Sequence, residues 1–255
     1  MTTPKLTHLT WQMALDLLEK GELRSAEKIN GKWQANREVK EKILEAFRAG
    51  ELTLCEDIYT DKHTLMPQQF DVKRGIRIVP RGSAVRRGSF LANGVIMMPP
   101  SYVNVGAYID EGTLIDSHVL VGSCAQIGKH VHLSAGVQIG GVLEPIGAAP
   151  VVIEDNCFIG ADAIIVEGIQ VLSEAIIAPG VILSKSVQVF DVVNNRQLDP
   201  YEPIPSRAVV VPGSRPIKSN HAWAKEMGLH LNCAIIIKYR DSKTDAAVVL
   251  EESLR

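Results

Sequence analysis

From Val85 to Val189 a branched or long apolar residue returns at every sixth position, and no other feature limits so sharply what this chain can fold into. The row runs Val85, Leu91, Met97, Val103, Ile109, Ile115, Val121, Ile127, Leu133 and Ile139, then resumes at Ile153, Ile159, Ile165, Val171, Ile177, Leu183 and Val189. Four residues after most of these stands a second, smaller candidate for the interior, among them Val95, Ala107, Thr113, Val119, Ala125, Val131, Cys157, Ala163 and Val181. A helix repeats near 3.6 and a half-buried strand near 2, so a period of six fits neither alone. It is the hexapeptide repeat of a parallel β-helix, with about eighteen residues to a three-sided coil. A single coil cannot bury its apolar row, whereas a stack of coils turns each row into a continuous core. A β-sandwich would instead show a period of two with closely spaced turn signals. Crossovers between parallel strands are nearly always right-handed, and the repeat itself does nothing to overturn that rule.

The repeat breaks once. Ile139 to Ile153 spans fourteen residues where one hexad needs six, so about eight residues leave the coil as a loop over Gly141 to Pro150. That loop is apolar and small, a composition suited to close packing against a neighbour or a thin ligand. Before the repeat, Trp11 to Lys20 and a stretch from about Arg37 read as helices, with Asn30-Gly31 between them marking a hairpin. Residues 1–82 are therefore expected to form an α-rich cap and linker, 83–192 the coil, and 193–255 a Pro-punctuated extension. Within that extension Cys233 to Tyr239 reads as a strand and Val248 to Leu254 as a short helical turn.

A formal charge of -2 offers no basic field for nucleic acid and no polybasic membrane patch. The apolar runs are too interrupted to span a bilayer, and no leader opens the chain. Four cysteines without a CxxC or a regular framework read as reduced thiols of a cytoplasmic protein.

No P-loop, dinucleotide fingerprint, HExxH or GxSxG is present, which sets aside phosphoryl transfer, nicotinamide chemistry and serine hydrolysis. His118, His130 and His132 lie close in sequence, but a metal needs donors converging at about 2 Å, and the expectation is no metal. Among the carboxylates Asp110, Glu111, Asp116, Asp155, Asp162 and Glu167, Asp116 stands out, one place after the inward Ile115 and flanked by glycine-containing units. An aspartate beside a groove can hold a substrate ammonium and then accept its proton. A cationic run, Lys73, Arg74, Arg77, Arg81, Arg86 and Arg87, leads into the first coils and suits either solvent or an anionic substrate.

These residues resemble the tetrahydrodipicolinate N-succinyltransferase family of hexapeptide-repeat acyltransferases. The resemblance covers most of the chain. It rests on Leu23-Arg24 and Ala26-Glu27-Lys28-Ile29 near the N-terminus, Pro100-Ser101-Tyr102-Val103-Asn104, and Asp110-Glu111-Gly112-Thr113. It continues in Val121-Gly122-Ser123-Cys124-Ala125-Gln126-Ile127-Gly128-Lys129, Gly140-Gly141-Val142-Leu143-Glu144-Pro145 and Ile153-Glu154-Asp155-Asn156-Cys157-Phe158-Ile159-Gly160-Ala161. The resemblance implies a left-handed β-helix, a homotrimer with sites between subunits, and succinyl transfer from succinyl-CoA in lysine and diaminopimelate synthesis. It implies that Arg77, in Arg77-Ile78-Val79-Pro80, binds a carboxylate of the acceptor. Asp116 matches the family's active-site aspartate, which orients the amine and helps remove its proton.

Two departures stand against this. Where the family commonly reads Ile-Gly-Ala-Arg-Ser-Glu-Val-Val-Glu-Gly, with the first glutamate approaching the acceptor from an adjacent subunit, this chain has Ile164 in the glutamate's place. Where the family typically reads Met-Gly-Val-Tyr-Leu-Gly-Gln-Ser-Thr, this chain reads Pro179-Gly180-Val181-Ile182-Leu183-Ser184-Lys185-Ser186-Val187, which alters the presumed cofactor groove. Lys185, Arg215 and Lys218 are the candidate contacts for CoA phosphates, on charge and position. The alternatives are an acetyl-CoA-dependent relative acting on a similar amino dicarboxylate and, from another class, a non-catalytic trimeric scaffold.

Overall fold

A computed structural model describes residues 8–55, 59–217, 220 and 222–241. The residues at every sixth position fall on two-residue strands and are almost all inaccessible to solvent. These strands form three parallel ladders, which the chain visits in rotation. The Asp116 face stacks Arg77–Ile78, Ile96–Met97, Leu114–Ile115, His132–Leu133, Phe158–Ile159 and Ile176–Ile177. The Tyr102 face begins at Ala84–Val85 and ends at Ile182–Leu183. The Tyr108 face runs from Phe90–Leu91 to Gln170–Val171.

Three turns close each rung, and the same corner position adopts a positive φ in most hexads, from Gly88, Gly94, Gly106 and Gly112 through His118, Cys124 and His130 to Gly136. Backbone N–H groups at these corners donate to the rung below, as His118 does to the Pro100 carbonyl at 2.7 Å and Gly136 to that of Ser117 at 2.9 Å. Small polar residues on the second inward row complete the accounting. Thr113 Oγ1 donates to the Gly128 carbonyl at 2.8 Å and accepts from the Val131 N–H at 3.1 Å. Buried backbone groups that the short strands leave unpaired are thereby satisfied.

The first strand of the coil, Arg77–Ile78, lies inside the stretch expected to be linker. The repeat also does not end at Val189. After an excursion that includes Gln188–Asp191 and Arg196–Gln197, Ile204 bridges Val171 and Val210 pairs with Ile177, so the coil regains two sides six residues apart. Pro203 and Pro205 flank this resumption and mask it in sequence. Strand Ala208–Pro216 then runs on past the coil and returns antiparallel as His230–Tyr239. The stretch Val248 to Leu254 lies outside the described residues.

In the cap, α1 (Trp11–Glu19) and α2 (Arg37–Ala49) flank the hairpin of β1 (Ala26–Ile29) and β2 (Lys32–Ala35). Thr10 and Asn36 cap the two helices by accepting from the N–H groups of Met13 and Val39. At the hairpin tip Asn30 and Gly31 both have positive φ, as a two-residue turn of matching twist requires. A second hairpin, β3 (Leu52–Cys55) with β4 (Tyr59–Lys62), precedes the coil.

The cap core of Ala14, Leu15, Leu18, Leu23, Val39, Ile43 and Ala46 closes on Val105 and Cys124 at one corner of the coil. Contact there is close. A Cβ on Gly88 would lie 2.6 Å from Leu15, and one on Gly106 would lie 2.9 Å from both Ile43 and Cys124 Sγ. Ser25 Oγ donates to the Gly106 carbonyl at 2.8 Å, and Gln126 Nε2 donates to Ser25 Oγ at 2.9 Å. The Arg24 guanidinium donates to Gln126 Oε1 at 2.9 Å and lies 3.6 Å above the Tyr108 ring.

Candidate active site

Asp116 follows directly on Leu114–Ile115, so its side chain leaves the coil just before a corner. Its N–H donates to the Leu133 carbonyl at 2.9 Å, and its own carbonyl accepts from Ser101 Oγ at 2.7 Å. Ser101 is buried and also accepts from the Val119 N–H at 3.1 Å, so one hydroxyl ties the corners on both sides of Asp116. Of the carboxylate itself, Oδ1 accepts from the Ser117 N–H at 2.7 Å. The side chain is thus oriented by its own turn and half-buried, with acceptor capacity left for a ligand donor. Ser101 has no catalytic look in sequence; only its place four residues after Met97, on the second inward row, signals a structural hydroxyl.

Arg77 opens the lowest strand of the same face and is exposed. Register places it opposite Ile96 and Ile96 opposite Leu114, so Arg77 and Asp116 lie two strands and two residues apart. With strand spacing near 4.8 Å, their α-carbons are about 12 Å apart, within reach of one long side chain and a small ligand. Continuing upward, the outward positions beside Asp116 are Ser134, Gly160 and Ala178, all small, while His132 and Phe158 pack ring against ring at 4.8 Å along their edge. This face thus carries an acid beside a row of small residues and a cation on its lowest strand.

The cationic run separates in space. Arg86 pairs with Asp61 at 2.7 Å, Arg87 with Asp16 at 3.0 Å, and Arg74 stacks on Phe70 at 4.8 Å. Arg77 and Arg81 make no side-chain hydrogen bond or ion pair with the described residues, and both are exposed.

Comparison with known proteins bears on what such a face is for. Residues 2–49 match the model described as the tetrahydrodipicolinate N-succinyltransferase N-terminal region, and residues 150–185 match the hexapeptide repeat of succinyl-transferase. A 2,3,4,5-tetrahydropyridine-2,6-dicarboxylate N-succinyltransferase of Idiomarina loihiensis is 45% identical over 249 residues, covering 94% of this chain and 86% of that protein. The enzyme of the same name from Yersinia pestis is 43% identical, covering 100% of this chain and 90% of its own. The chain belongs to the tetrahydrodipicolinate N-succinyltransferase family. A solved Campylobacter jejuni structure described as a 2,3,4,5-tetrahydropyridine-2-carboxylate N-succinyltransferase covers 94% of this chain and 64% of its own, at 14% identity and a TM-score of 0.48.

Other residues singled out in this N-succinyltransferase family member scatter. Ile164 opens a strand of the Tyr102 face between Gln138 and Ile182, so within one chain it does not share a face with Asp116. Lys185 is exposed at a corner, where its N–H donates to Glu167 at 2.9 Å and its ammonium lies 4.9 Å from the Tyr201 ring centre. The hydrogen bond with Tyr201 raises the Lys185 pKa. A cavity of about 150 Å³ lies between this corner and the returning chain, lined by Ser184, Ser186, Gln188 and Glu202 besides Lys185 and Tyr201. Arg215 sits instead on the outer ribbon opposite Leu231, with Nε buried and without a hydrogen-bond partner. Lys218 lies outside the described residues.

His118 and His130 occupy different corners, and His132 is buried against Phe158. Among the described residues no group of three or more His, Cys, Asp or Glu side chains is placed to hold a metal ion, and no helix is long and apolar enough to cross a membrane. Asp110, Asp155 and Glu167 accept from the corner N–H groups of Glu111, Lys129 and Lys185, which is the work of turn caps. Cys157 is core filler: burial pushes its thiol up to about 12, and Sγ donates to the Leu172 carbonyl at 3.2 Å.

The loop at 141–150 is held by its own chain. Lys40 of α2, fully inaccessible, donates from Nζ to the carbonyls of Val142 and Ala148, each at 2.6 Å, and Leu143 packs against the cap core. Burial lowers the Lys40 pKa. The loop's apolar composition is thus satisfied by the cap helix, which no local pattern in the loop could have disclosed.

Proposed function

We propose that this protein transfers the succinyl group of succinyl-CoA to the amino group of the acceptor derived from tetrahydrodipicolinate, a step of lysine and diaminopimelate synthesis. The observation that carries this reading is 45% identity to an enzyme of that name over nearly the whole chain. Its chemical counterpart is the placing of Asp116 and Arg77 on one face. Arg77 binds an acceptor carboxylate through paired N–H donors, and Asp116 orients the amine and takes its proton as nitrogen attacks the thioester carbonyl. The new amide bond forms as the C–S bond breaks and CoA leaves as the thiol. A thioester is already activated, so positioning and proton removal suffice without a covalent enzyme intermediate.

The coil is proposed to be a left-handed β-helix, assembled as a cytoplasmic homotrimer whose sites lie between subunits. Intersubunit sites accord with the exposure of Arg77 and the half-burial of Asp116 on one face of a single chain. Lys185, Arg215 and Lys218 are proposed to meet the CoA phosphates.

The test is release of CoA thiol from succinyl-CoA and from acetyl-CoA, each with tetrahydrodipicolinate and with 2-aminopimelate. Thiol release with succinyl-CoA at a kcat/KM well above that with acetyl-CoA is expected. Preference for acetyl-CoA would replace the donor, and no release with any pair would leave a non-catalytic scaffold.

A further inference from the structure

Three arginines of the run that enters the coil are already engaged by aspartates or an aromatic ring, but Arg81 has no such contact among the described residues. It follows the lowest strand of the Asp116 face, at the corner leading to the Tyr102 face, and is exposed. We propose that Arg81 is a second carboxylate anchor of the acceptor site, taking the carboxylate that Arg77 leaves. This rests on the reading of the acceptor as a dicarboxylate.

Register is the first support. The Val79 N–H donates to the Met97 carbonyl at 3.0 Å and the Met98 N–H to that of Ile115 at 2.8 Å, so Val79, Met98 and Asp116 form one outward row. Arg77 lies two residues to one side of that row and Arg81 two residues to the other. The two residues therefore flank the line across the strands to Asp116, with at most about 14 Å of chain between their α-carbons. An acceptor lying across the lowest strand of this face would have an arginine at each end and the acid above.

Charge is the second support. A dicarboxylate brings two negative charges, and one arginine answers only one of them; the other would enter the site without a fixed partner. The positive φ of Arg81, 73°, is not itself evidence of function, since corners throughout the coil share that conformation.

The experiment compares acceptors that differ by one carboxylate. Steady-state KM is measured for 2-aminopimelate, for 2-aminohexanoate, which lacks the distal carboxylate, and for 6-aminohexanoate, which lacks the one beside the amine. The variant is Arg81→Asn, because asparagine tolerates positive φ and the corner is kept; an unchanged melting temperature and an unchanged KM for the acyl donor confirm this. Arg81→Asn is expected to raise KM for 2-aminopimelate about 10- to 100-fold, the range for a lost charge-assisted pair, while sparing one of the two single-carboxylate acceptors. Arg77→Asn should spare the other.

An unchanged KM for 2-aminopimelate, or an equal rise for all three acceptors, would make Arg81 a solvated surface arginine and overturn the proposal. Calorimetric titration with pimelate, against hexanoate as control, separates this from failure of the acyltransferase reading. Should the wild-type protein acylate no dicarboxylate, weaker pimelate binding by Arg81→Asn would still uphold the anchor, and equal binding would remove it.

Discussion

Two corner rows of the same coil have the same backbone and opposite surroundings. In one, Gly88, Gly106 and Cys124 lie under the cap, where Leu15 and Ile43 come so close that a Cβ on either glycine would collide. In the other, Arg81, His118, Gly136, Asp162 and Gly180 repeat the positive φ with no cap over them, and Gly180 has nothing within 4 Å of where a Cβ would stand. The coil needs a residue that tolerates positive φ at each corner, and nothing more. Whether that residue must also be small is decided by what lands on it. The covered row is consequently a structural seam, and the open row is free to carry charge beside Asp116.

The largest expected effect tests the open side. Asp116→Asn should lower turnover by about two to four orders of magnitude, as for loss of a general base, with the melting temperature unchanged. Wild-type turnover in that variant would leave the open face without its proposed chemistry. On the covered side, Gly106→Ala should cost about 2–4 kcal/mol in denaturant unfolding, because positive-φ strain adds to the collision with Ile43 and Cys124. Gly180→Ala, with the same strain and no collision, should cost about 1 kcal/mol. Equal losses would mean that the cap does not set the requirement.

A smaller effect concerns the loop that the cap holds. Lys40→Met removes the donor to two buried carbonyls, so protease cleavage within 141–150 should accelerate roughly tenfold, by about 1–2 kcal/mol of local opening. Lys42→Met, which loses only the i,i+3 pair with Glu45, should leave cleavage unchanged.

The smallest effect is in pH. Burial pushes the Cys124 thiol up to about 11 and that of Cys157 up to about 12, against an ordinary value of 9.0. In the unfolded chain these thiols ionise first, so their contribution is fully present below pH 9.0 and is lost as pH rises toward the folded values. Each should withdraw about 1 kcal/mol by pH 10, measured as a falling melting temperature. Cys124→Ala and Cys157→Ala should each flatten that slope; an unchanged slope would show that neither thiol stays protonated in the folded form.

Legibility in sequence followed the range of the interactions. The sixfold row from Val85 to Leu183, the eight-residue insertion and the Asn30-Gly31 hairpin were all readable, because each depends on contacts that recur along the chain or lie within a few residues. The resumption at Ile204 and Val210 was missed, since a long excursion and two prolines break the count. The loop at 141–150 is held from within the chain by Lys40, a residue about a hundred positions earlier, a contact that its composition did not disclose. In the site, Asp116 was singled out by its place after the inward Ile115 and again by the family's motif, and Arg77 by that motif; Arg81 was one of a cationic run, and Ser101 was given no role. Ser101 orients Asp116 through a main-chain carbonyl, and Arg81 is distinguished only by the partners its neighbours have and it lacks.

The sequence by itself determined that the chain coils with three sides and which residue of each hexad faces inward, because a periodic burial pattern survives without coordinates. The family came from longer motif runs such as Val121 to Lys129, which the sixfold period alone does not specify. Tertiary structure alone decided that Arg77 shares a face with Asp116 while Ile164 lies on another, and that one corner is sealed while its counterpart is open. Stacking brings together residues eighteen or more positions apart, so the partner of each side chain depends on which rung and which face it occupies, and the eight-residue insertion shifts the partners of the three strand pairs that cross it, from Gln126 with Val152 to Gln138 with Ile164.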